Sequence, residues 1–262
     1  MKLRPGGHDT YCYTRDREID PAADSIVFVH GAGMDHTVWT PFARHFARHG
    51  RNVVAVDLPG HGRSAGAPLE SIEEISDWLI LLLDALAITR AAIVGHSLGS
   101  IVALDAAARY PERVRAIALV GTTAPMPVSQ AILDAAAADA PEAFHMLTEF
   151  GFSRRHLYGG SSNPGMWMAG ASLRLQQRSA PGVLHADMNA CNNYDSGLQR
   201  AAQVSCPVLV VAGDGDRLTP LRGAQPLLAA LPSPVVRVLR GSGHSLMSEA
   251  PNALLAALRE LL

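Results

Sequence analysis

The sequence predicts an α/β fold, in which helices cover both faces of a mostly parallel central sheet and a helical segment is inserted between two strands. Short apolar runs rich in β-branched residues recur along the chain, and such runs are typical of strands buried on both faces. Helical patterns separate most of these runs, which favours a parallel sheet. The alternation stops over residues 125–205, and this interruption predicts the insertion.

Six apolar runs are predicted strands, and five amphipathic patterns are predicted helices of the core. The strands are Ser25–Val29, Asn52–Val56, Ala91–Val94, Ala116–Val120, Val208–Val211 and Val235–Leu239. The helices are Trp39–His49, Ile72–Leu86, Leu98–Tyr110, Leu221–Leu231 and Ala253–Leu261. These elements predict one core domain made of residues 1–124 and 206–262.

The segment 125–205 shows no convincing strand pattern. Helical patterns at Ser129–Ala138, Pro141–Phe150 and Ser172–Gln177 are separated by glycines and prolines, which punctuate helices. The sequence therefore predicts a helical cap over this segment.

Composition excludes several classes of partner. The 262 residues, 48% of them hydrophobic, suffice for one large core. The formal net charge is −2, so neither nucleic acid nor a membrane surface is expected as a partner. The polar start, Met1–Asp9, lacks the apolar run of a secretory signal, and no apolar run is long enough to span a bilayer, so a cytoplasmic location is expected. The sequence does not distinguish a monomer from a homodimer.

Cofactor and metal motifs are absent from the sequence. The three cysteines are widely spaced, and no histidine cluster has metal-ligand spacing, so we expect neither a disulfide framework nor a metal. Gly31-Ala32-Gly33 lacks the further glycine of a dinucleotide-binding loop, and no phosphate-binding loop is present. We therefore expect no cofactor.

The strongest chemical motif is the pentapeptide Gly-His-Ser-Leu-Gly at 95–99. It lies between a predicted strand and a predicted helix, where such a motif makes a sharp turn that exposes its serine. The helix that follows presents backbone N–H groups and a positive dipole end to an oxyanion. Ser97 is therefore the candidate nucleophile.

A serine hydroxyl needs a base within reach and an acid that orients the base. Asp214 and Asp216 follow the predicted strand at Val208–Val211, and His244 follows the last predicted strand. Ligands of open α/β sheets bind at the carboxyl ends of the strands. His244 is therefore the candidate general base, and one of the two aspartates is the candidate acid.

These motifs together resemble the α/β-hydrolase superfamily over nearly the whole chain. In order, they are His30–Gly33, Asp57–Ser64, Gly95–Gly99, Gly213–Asp216 and Gly243–His244. The resemblance implies that the acid falls three residues after Gly213, which selects Asp216. Some members carry the acid after the preceding strand, where this chain has Gly121-Thr122-Thr123.

The resemblance also implies where an oxyanion would bind. In similar enzymes the residue after His-Gly donates one backbone N–H and the residue after the serine donates the other. Ala32 and Leu98 are therefore the candidate oxyanion hole, with Gly33 as the alternative to Ala32.

Methionines and aromatic residues are frequent in the predicted cap. They predict a mainly apolar pocket, although each could equally belong to the core of the cap itself. Trp167, Met146 and Met168, with Met34 after the oxyanion loop, are the candidate lining residues.

The sequence thus predicts a serine hydrolase that cleaves carboxylic esters of small, largely apolar substrates through an acyl-enzyme on Ser97. A serine at this position argues against the branches of the family that use a carboxylate nucleophile. Hydrolysis of an enol-lactone, or of a carbon–carbon bond in ring-cleavage products, remains an alternative. A second alternative is a receptor that keeps the triad but only binds a small molecule.

Overall fold

The computed structural model describes residues 2–161 and 165–262, and its strands form one eight-stranded sheet. The strands are β1 (Lys2–Leu3), β2 (Thr10–Tyr13), β3 (Ser25–Val29), β4 (Asn52–Val56), β5 (Ala91–His96), β6 (Val114–Val120), β7 (Val208–Gly213) and β8 (Val235–Leu239). Their order is β1-β2-β4-β3-β5-β6-β7-β8. Strands β3 to β8 are parallel to one another, whereas β2 pairs antiparallel with β4 and β1 pairs antiparallel with β2 at one edge. The predicted α/β fold is confirmed, and β1 and β2 are additions to the six predicted strands.

Helices cover both faces of the sheet. The helices of the core are α1 (Thr40–Arg48), α2 (Ile72–Ala85), α3 (Leu98–Arg109), α10 (Gln225–Ala230), α11 (Leu246–Glu249) and α12 (Pro251–Leu261). Helices α1 and α12 pack on one face, where Phe42, Phe46 and Leu258 are buried. Helices α2 and α3 pack on the other face with Leu79 and Ile101. Burial of these apolar side chains is the main stabilising contribution to the fold.

The register of the parallel strands brings their carboxyl ends to one edge of the sheet. Val29 of β3 lies opposite Gly95 of β5, and Val120 of β6 lies opposite both His96 of β5 and Val211 of β7. The loops that follow β3, β5, β7 and β8 therefore meet at the same edge.

The chain between β6 and β7 contains only helices among its described residues. They are α4 (Gln130–Ala137), α5 (Pro141–Gly151), α6 (Arg154–Leu157), α7 (Met168–Gln176), α8 (Val183–Asn193) and α9 (Gly197–Gln203). We call residues 125–205 the insertion. Its helices α8 and α9 pack on α3, and Leu184 and Tyr194 join the main core. The insertion is therefore packed onto the sheet domain along its length.

None of the helices described is both long enough and apolar enough to cross a membrane.

Candidate active site

Ser97 lies on a sharp turn between β5 and α3, with a φ of 52°. A side chain on Gly95 would place its Cβ 1.9 Å from the carbonyl oxygen of Gly99, so only glycine permits this turn. Non-glycine residues adopt a positive φ at a cost of about 1–3 kcal/mol, and such strain clusters at functional sites. The turn presents a partly exposed Ser97 at the carboxyl edge of the sheet.

Asp216 and His244 form a buried pair at the same edge. The Nδ1 atom of His244 is 2.9 Å from Oδ2 of Asp216. Oδ1 of Asp216 accepts hydrogen bonds from the backbone N–H groups of Leu218 and Thr219, and Oδ2 accepts one from the hydroxyl of Thr219. Because an ionised carboxylate only accepts, the His244 proton lies on Nδ1 and the neutral ring leaves Nε2 unprotonated.

The surroundings of Asp216 keep it ionised. Burial alone would raise the pKa of this carboxyl, but His244 and the hydrogen bonds from Thr219 hold the pKa well below its ordinary value. The other aspartate of the loop, Asp214, is exposed and accepts a hydrogen bond from the N–H of Gly241. The structure therefore pairs His244 with Asp216 and not with Asp214.

His96 supports the loop that carries His244. Its Nε2 atom donates to the carbonyl oxygen of His244, at 3.0 Å, while Nδ1 is buried without a hydrogen-bond partner. Burial and the nearby His244 lower the pKa of His96 to about 3. His96 is therefore neutral and acts as a hydrogen-bond donor that fixes the backbone.

Ser97 and His244 line one narrow cavity of about 30 Å³, together with Ala32 and His96. Among the residues described, no hydrogen bond joins the Ser97 hydroxyl to His244. Catalytic hydrogen bonds are often long or misaligned when no substrate is bound. The structure thus brings the candidate nucleophile and base to one cavity, with the Asp216–His244 pair already formed.

Two backbone N–H groups point to the location of an oxyanion. Leu98 is the first residue of α3, and the N–H groups of a first helical turn have no partner within the helix. Ala32 lines the narrow cavity, and its N–H donates to no residue in the described part of the chain. The N–H of the alternative, Gly33, donates instead to Oδ2 of Asp187, at 2.8 Å. Gly33 therefore has no N–H left for an oxyanion.

A larger apolar cavity of about 330 Å³ also reaches Ser97. Its lining includes Ile132, Leu147 and Met188, of which Leu147 and Met188 also line the narrow cavity. Arg217 is the charged residue among its described lining residues, and its guanidinium lies 5.0 Å from the ring centroid of Phe150. Met188 belongs to the methionines of the predicted cap, whereas sequence reasoning missed Ile132 and Leu147, which lie on the predicted helices Ser129–Ala138 and Pro141–Phe150.

A third cavity, of about 380 Å³, adjoins the narrow one on its other side, and the two share Met34, Ser172 and Ser245. The expectation that Met34 lies in the wall of the pocket agrees with this placement. Arg174 and Arg178 also line the third cavity, so it is more polar than the cavity beside Ile132.

The other three predicted pocket residues lie outside both cavities that contain Ser97. Trp167 is 69% exposed and stacks over Gly170 at the start of α7. Met168 is buried in a separate small cluster with Phe152. Met146 and Leu147 both pack against the main core, but of the two only Leu147, one position further along α5, also lines the cavity. Adjacent helical residues point about 100° apart, which explains this last error.

One buried cluster has atoms spaced as metal ligands are, namely Asp35, His36 and Asp57. Its polar atoms are already engaged. Oδ1 of Asp57 lies 2.8 Å from Nδ1 of His36, and Oδ1 of Asp35 accepts from the backbone N–H of Thr37. These hydrogen bonds account for the cluster as a fixture of the loop before α1.

Known proteins with similar sequences include hydrolases. A protein of Caulobacter sp. (strain K31), provisionally named carbamate hydrolase RutD, is 27% identical over 256 residues that cover 92% of each chain. The pimeloyl-[acyl-carrier protein] methyl ester esterase of Chromobacterium violaceum is 28% identical over 84% of this chain and 87% of its own.

A known structure and a family description complete the comparison. The enol-lactonase of Burkholderia xenovorans LB400 superposes with a TM-score of 0.86 at 22% identity, covering 99% of this chain and 98% of its own. The sequence model described as the alpha/beta hydrolase fold matches residues 24–251. The chain therefore belongs to the α/β-hydrolase fold family.

Proposed function

We propose that this hydrolase cleaves carboxylic esters of small, largely apolar substrates through an acyl-enzyme on Ser97. The observation that carries the proposal is that Ser97 shares one cavity with a histidine that is already paired with an aspartate. The strained turn exposes Ser97 there, and His244, already paired with Asp216, lines the same space. A hydroxyl, an imidazole and a carboxylate in series are what acyl transfer to serine requires.

The first step is attack of the Ser97 oxygen on the ester carbonyl carbon. A rotation of the Ser97 side chain brings its hydroxyl to Nε2 of His244, which takes the proton. Asp216 keeps Nδ1 protonated and stabilises the imidazolium that forms. The new carbon–oxygen bond yields a tetrahedral oxyanion, for which the N–H groups of Ala32 and Leu98 are the proposed donors, each contributing about 3 kcal/mol.

The second step releases the alcohol and then the acid. The tetrahedral intermediate collapses as His244 returns the proton to the leaving oxygen, which leaves the acyl group on Ser97. Water then attacks the acyl carbon while His244 again accepts a proton. The bond from the acyl carbon to the Ser97 oxygen breaks as His244 returns this proton to the serine, which releases the acid and restores the hydroxyl. The apolar cavity beside Ile132 is the proposed site for the apolar part of the substrate.

The test is labelling with a fluorophosphonate followed by peptide mapping, together with hydrolysis of short-chain 4-nitrophenyl esters. We expect the label on Ser97, with label and turnover both lost in Ser97→Ala. Ser129 lines the same apolar cavity, so Ser129→Ala is the matched control and keeps both. An unlabelled wild-type protein without ester turnover contradicts the proposal.

The alternatives predict different outcomes in the same experiment. Rates on a γ-lactone, an aryl carbamate and a vinylogous diketone separate the esterase from a lactonase, a carbamate hydrolase and a carbon–carbon hydrolase. A small-molecule receptor would show no turnover, and its ligand binding would survive Ser97→Ala.

A further inference from the structure

Gly33, next to the proposed oxyanion donor Ala32, is held on both sides by the insertion. Its N–H donates to Oδ2 of Asp187 at 2.8 Å, and its carbonyl accepts from the hydroxyl of Ser179 at 2.9 Å. Gly33 has a φ of +63°, and a Cβ there would lie 3.2 Å from Leu184. Asp187 therefore fixes the peptide unit that links Ala32 to Gly33, and Ser179 fixes the unit that links Gly33 to Met34, both from outside the sheet domain.

Asp187 makes a second contact, with His61. Oδ2 of Asp187 is 2.8 Å from Nε2 of His61, and Nδ1 of His61 is 2.9 Å from the carbonyl oxygen of Pro59. Both neighbours of the ring are acceptors, so each nitrogen satisfies its neighbour only by carrying a proton. His61 is then a buried cation beside the buried carboxylate of Asp187.

The pairing with His61 offsets the free-energy cost of burying the charged carboxylate of Asp187. An unpaired buried charge destabilises a protein strongly, whereas a pair with further hydrogen bonds is tolerated. His61 supplies the counter-charge for Asp187, and Gly33 supplies a hydrogen bond. The carboxylate can thus lie on the buried side of α8 and still accept the N–H of Gly33.

We propose that Asp187 is a positioning residue for the oxyanion hole, which fixes the Ala32–Gly33 peptide unit from the insertion. The proposal rests on the function proposed above. Without this acceptor, the buried N–H of Gly33 has no partner, and a shift of the loop that restores one also moves the adjoining Gly31–Ala32 peptide unit, which carries the N–H of Ala32. Since the oxyanion forms only during the reaction, the loss falls on kcat and leaves KM unchanged.

The experiment compares Asp187→Ala with Asp187→Asn on a 4-nitrophenyl ester. The alanine variant removes the acceptor, and we expect kcat to fall by about 10- to 100-fold, less than for complete loss of a donor, with KM within about twofold of wild type. The asparagine variant keeps a carbonyl oxygen at the same place, so most of kcat should be rescued.

Asp105 provides the matched control, because it is also a fully buried carboxylate that joins the core to the insertion. It accepts from the hydroxyl of Tyr194 at 3.0 Å and pairs with Arg200, but it touches no residue of the oxyanion loop. We expect Asp105→Ala to lower the melting temperature without changing kcat. A wild-type kcat in Asp187→Ala, or an equal loss in Asp105→Ala, would overturn the proposal.

Hydrogen exchange separates a failure of this proposal from a failure of the proposed function. The Gly33 amide should exchange faster in Asp187→Ala than in Asp105→Ala, whether or not the wild-type protein hydrolyses esters. Equal exchange of this amide in the two variants would contradict the positioning role. If Asp187→Ala does not fold, the comparison of Asp187→Leu with Asp105→Leu gives the same test, because leucine also removes the acceptor but fills the buried space.

Discussion

Two buried aspartate–histidine pairs have nearly the same separation and different surroundings. Asp216 and His244 are 2.9 Å apart, and Asp187 and His61 are 2.8 Å apart. The second nitrogen of His61 faces the carbonyl of Pro59, whereas the described residues offer no hydrogen bond to Nε2 of His244, which lines a cavity. The comparison teaches that the distance within such a pair does not distinguish a general base from an ion pair. The partner of the second nitrogen does.

Two further pairs join a histidine to a carboxylate. His36 pairs with Asp57 in the loop before α1, and His156 pairs with Glu249 beside the loop that carries His244. Neither histidine lines a cavity that contains Ser97. Because neither histidine faces Ser97, we assign both pairs to the stabilisation of loops.

The largest effect is expected from removing the base. His244→Gln should lower kcat for ester hydrolysis on the order of 10⁵-fold, because no other imidazole lies ready to accept the serine proton. Steady-state kinetics measure this change. The control is His49→Gln, at an exposed histidine that follows α1, and this variant should keep wild-type kinetics. If kcat of His244→Gln fell by less than tenfold, His244 would not be the general base.

The next largest effect is expected from the acid. Asp216→Asn keeps the shape of the loop but cannot hold the same protonated nitrogen, so kcat should fall by about 10⁴-fold. Asp214→Asn, on the same loop, should change kcat little. If kcat fell strongly in Asp214→Asn and stayed near wild type in Asp216→Asn, His244 would depend on Asp214, and the Asp216–His244 pair would be structural.

The buried Asp187–His61 pair should make the free energy of unfolding depend on pH. Burial alone would lower the pKa of His61, but Asp187, the Pro59 carbonyl and Asp57 together hold the pKa above its ordinary value of 6.5. The nearby His30 has its pKa lowered to about 4, chiefly by burial, so it stays neutral above pH 5. A raised pKa of His61 stabilises the fold fully below pH 6.5, and this stabilisation is lost as the pH rises through the raised value.

The substitution His61→Gln tests whether this stabilisation decreases as the pH rises. Breaking a buried pair typically costs about 3 kcal/mol or more, and here the loss of unfolding free energy should be larger at pH 6 than at pH 8.5. Denaturant unfolding followed by tryptophan fluorescence measures both values. A difference between wild type and variant that is constant across this range would mean that His61 is neutral in the folded protein.

The smallest effect is expected from Glu249. Its Oε1 accepts from the N–H of Gly243 and its Oε2 from the N–H of Ser153, each at 3.0 Å. Glu249→Gln leaves only one acceptor, so the unfolding free energy should fall by about 2 kcal/mol. Glu260→Gln, which breaks an exposed pair with Arg237, should cost less than about 1 kcal/mol. Equal losses would show that Glu249 does not fix the loop of His244.

The sequence predicted the core and the meeting of Ser97, Asp216 and His244, because each motif directly follows a parallel strand. The carboxyl ends of such strands share one edge of the sheet, so local patterns carried long-range information. Strands β1 and β2 were missed because they are short and lie antiparallel at the edge of the sheet. They do not have the long apolar runs of buried parallel strands.

The contacts of the insertion could not be predicted in the same way. Asp187 and His61 are 126 positions apart, and neither belongs to a local pattern that identifies the other. The lining of the apolar cavity depends on how each helix is rotated, which decided between Met146 and Leu147. The prediction for Trp167 followed from the expectation that large aromatic residues are buried, yet most of the surface of this side chain is exposed to solvent.

The hydrogen bonds between the insertion and Gly33 have a consequence for protein engineering. Exchanging residues 125–205 for those of a relative is an obvious way to change substrate preference, since this segment supplies much of the lining of the proposed substrate cavity. A graft that lacks the Asp187 and Ser179 contacts would also loosen the backbone that faces the reacting carbonyl. A chimaera should therefore carry loop 30–36 and His61 from the same donor as its helices, so that selectivity changes without a loss of turnover.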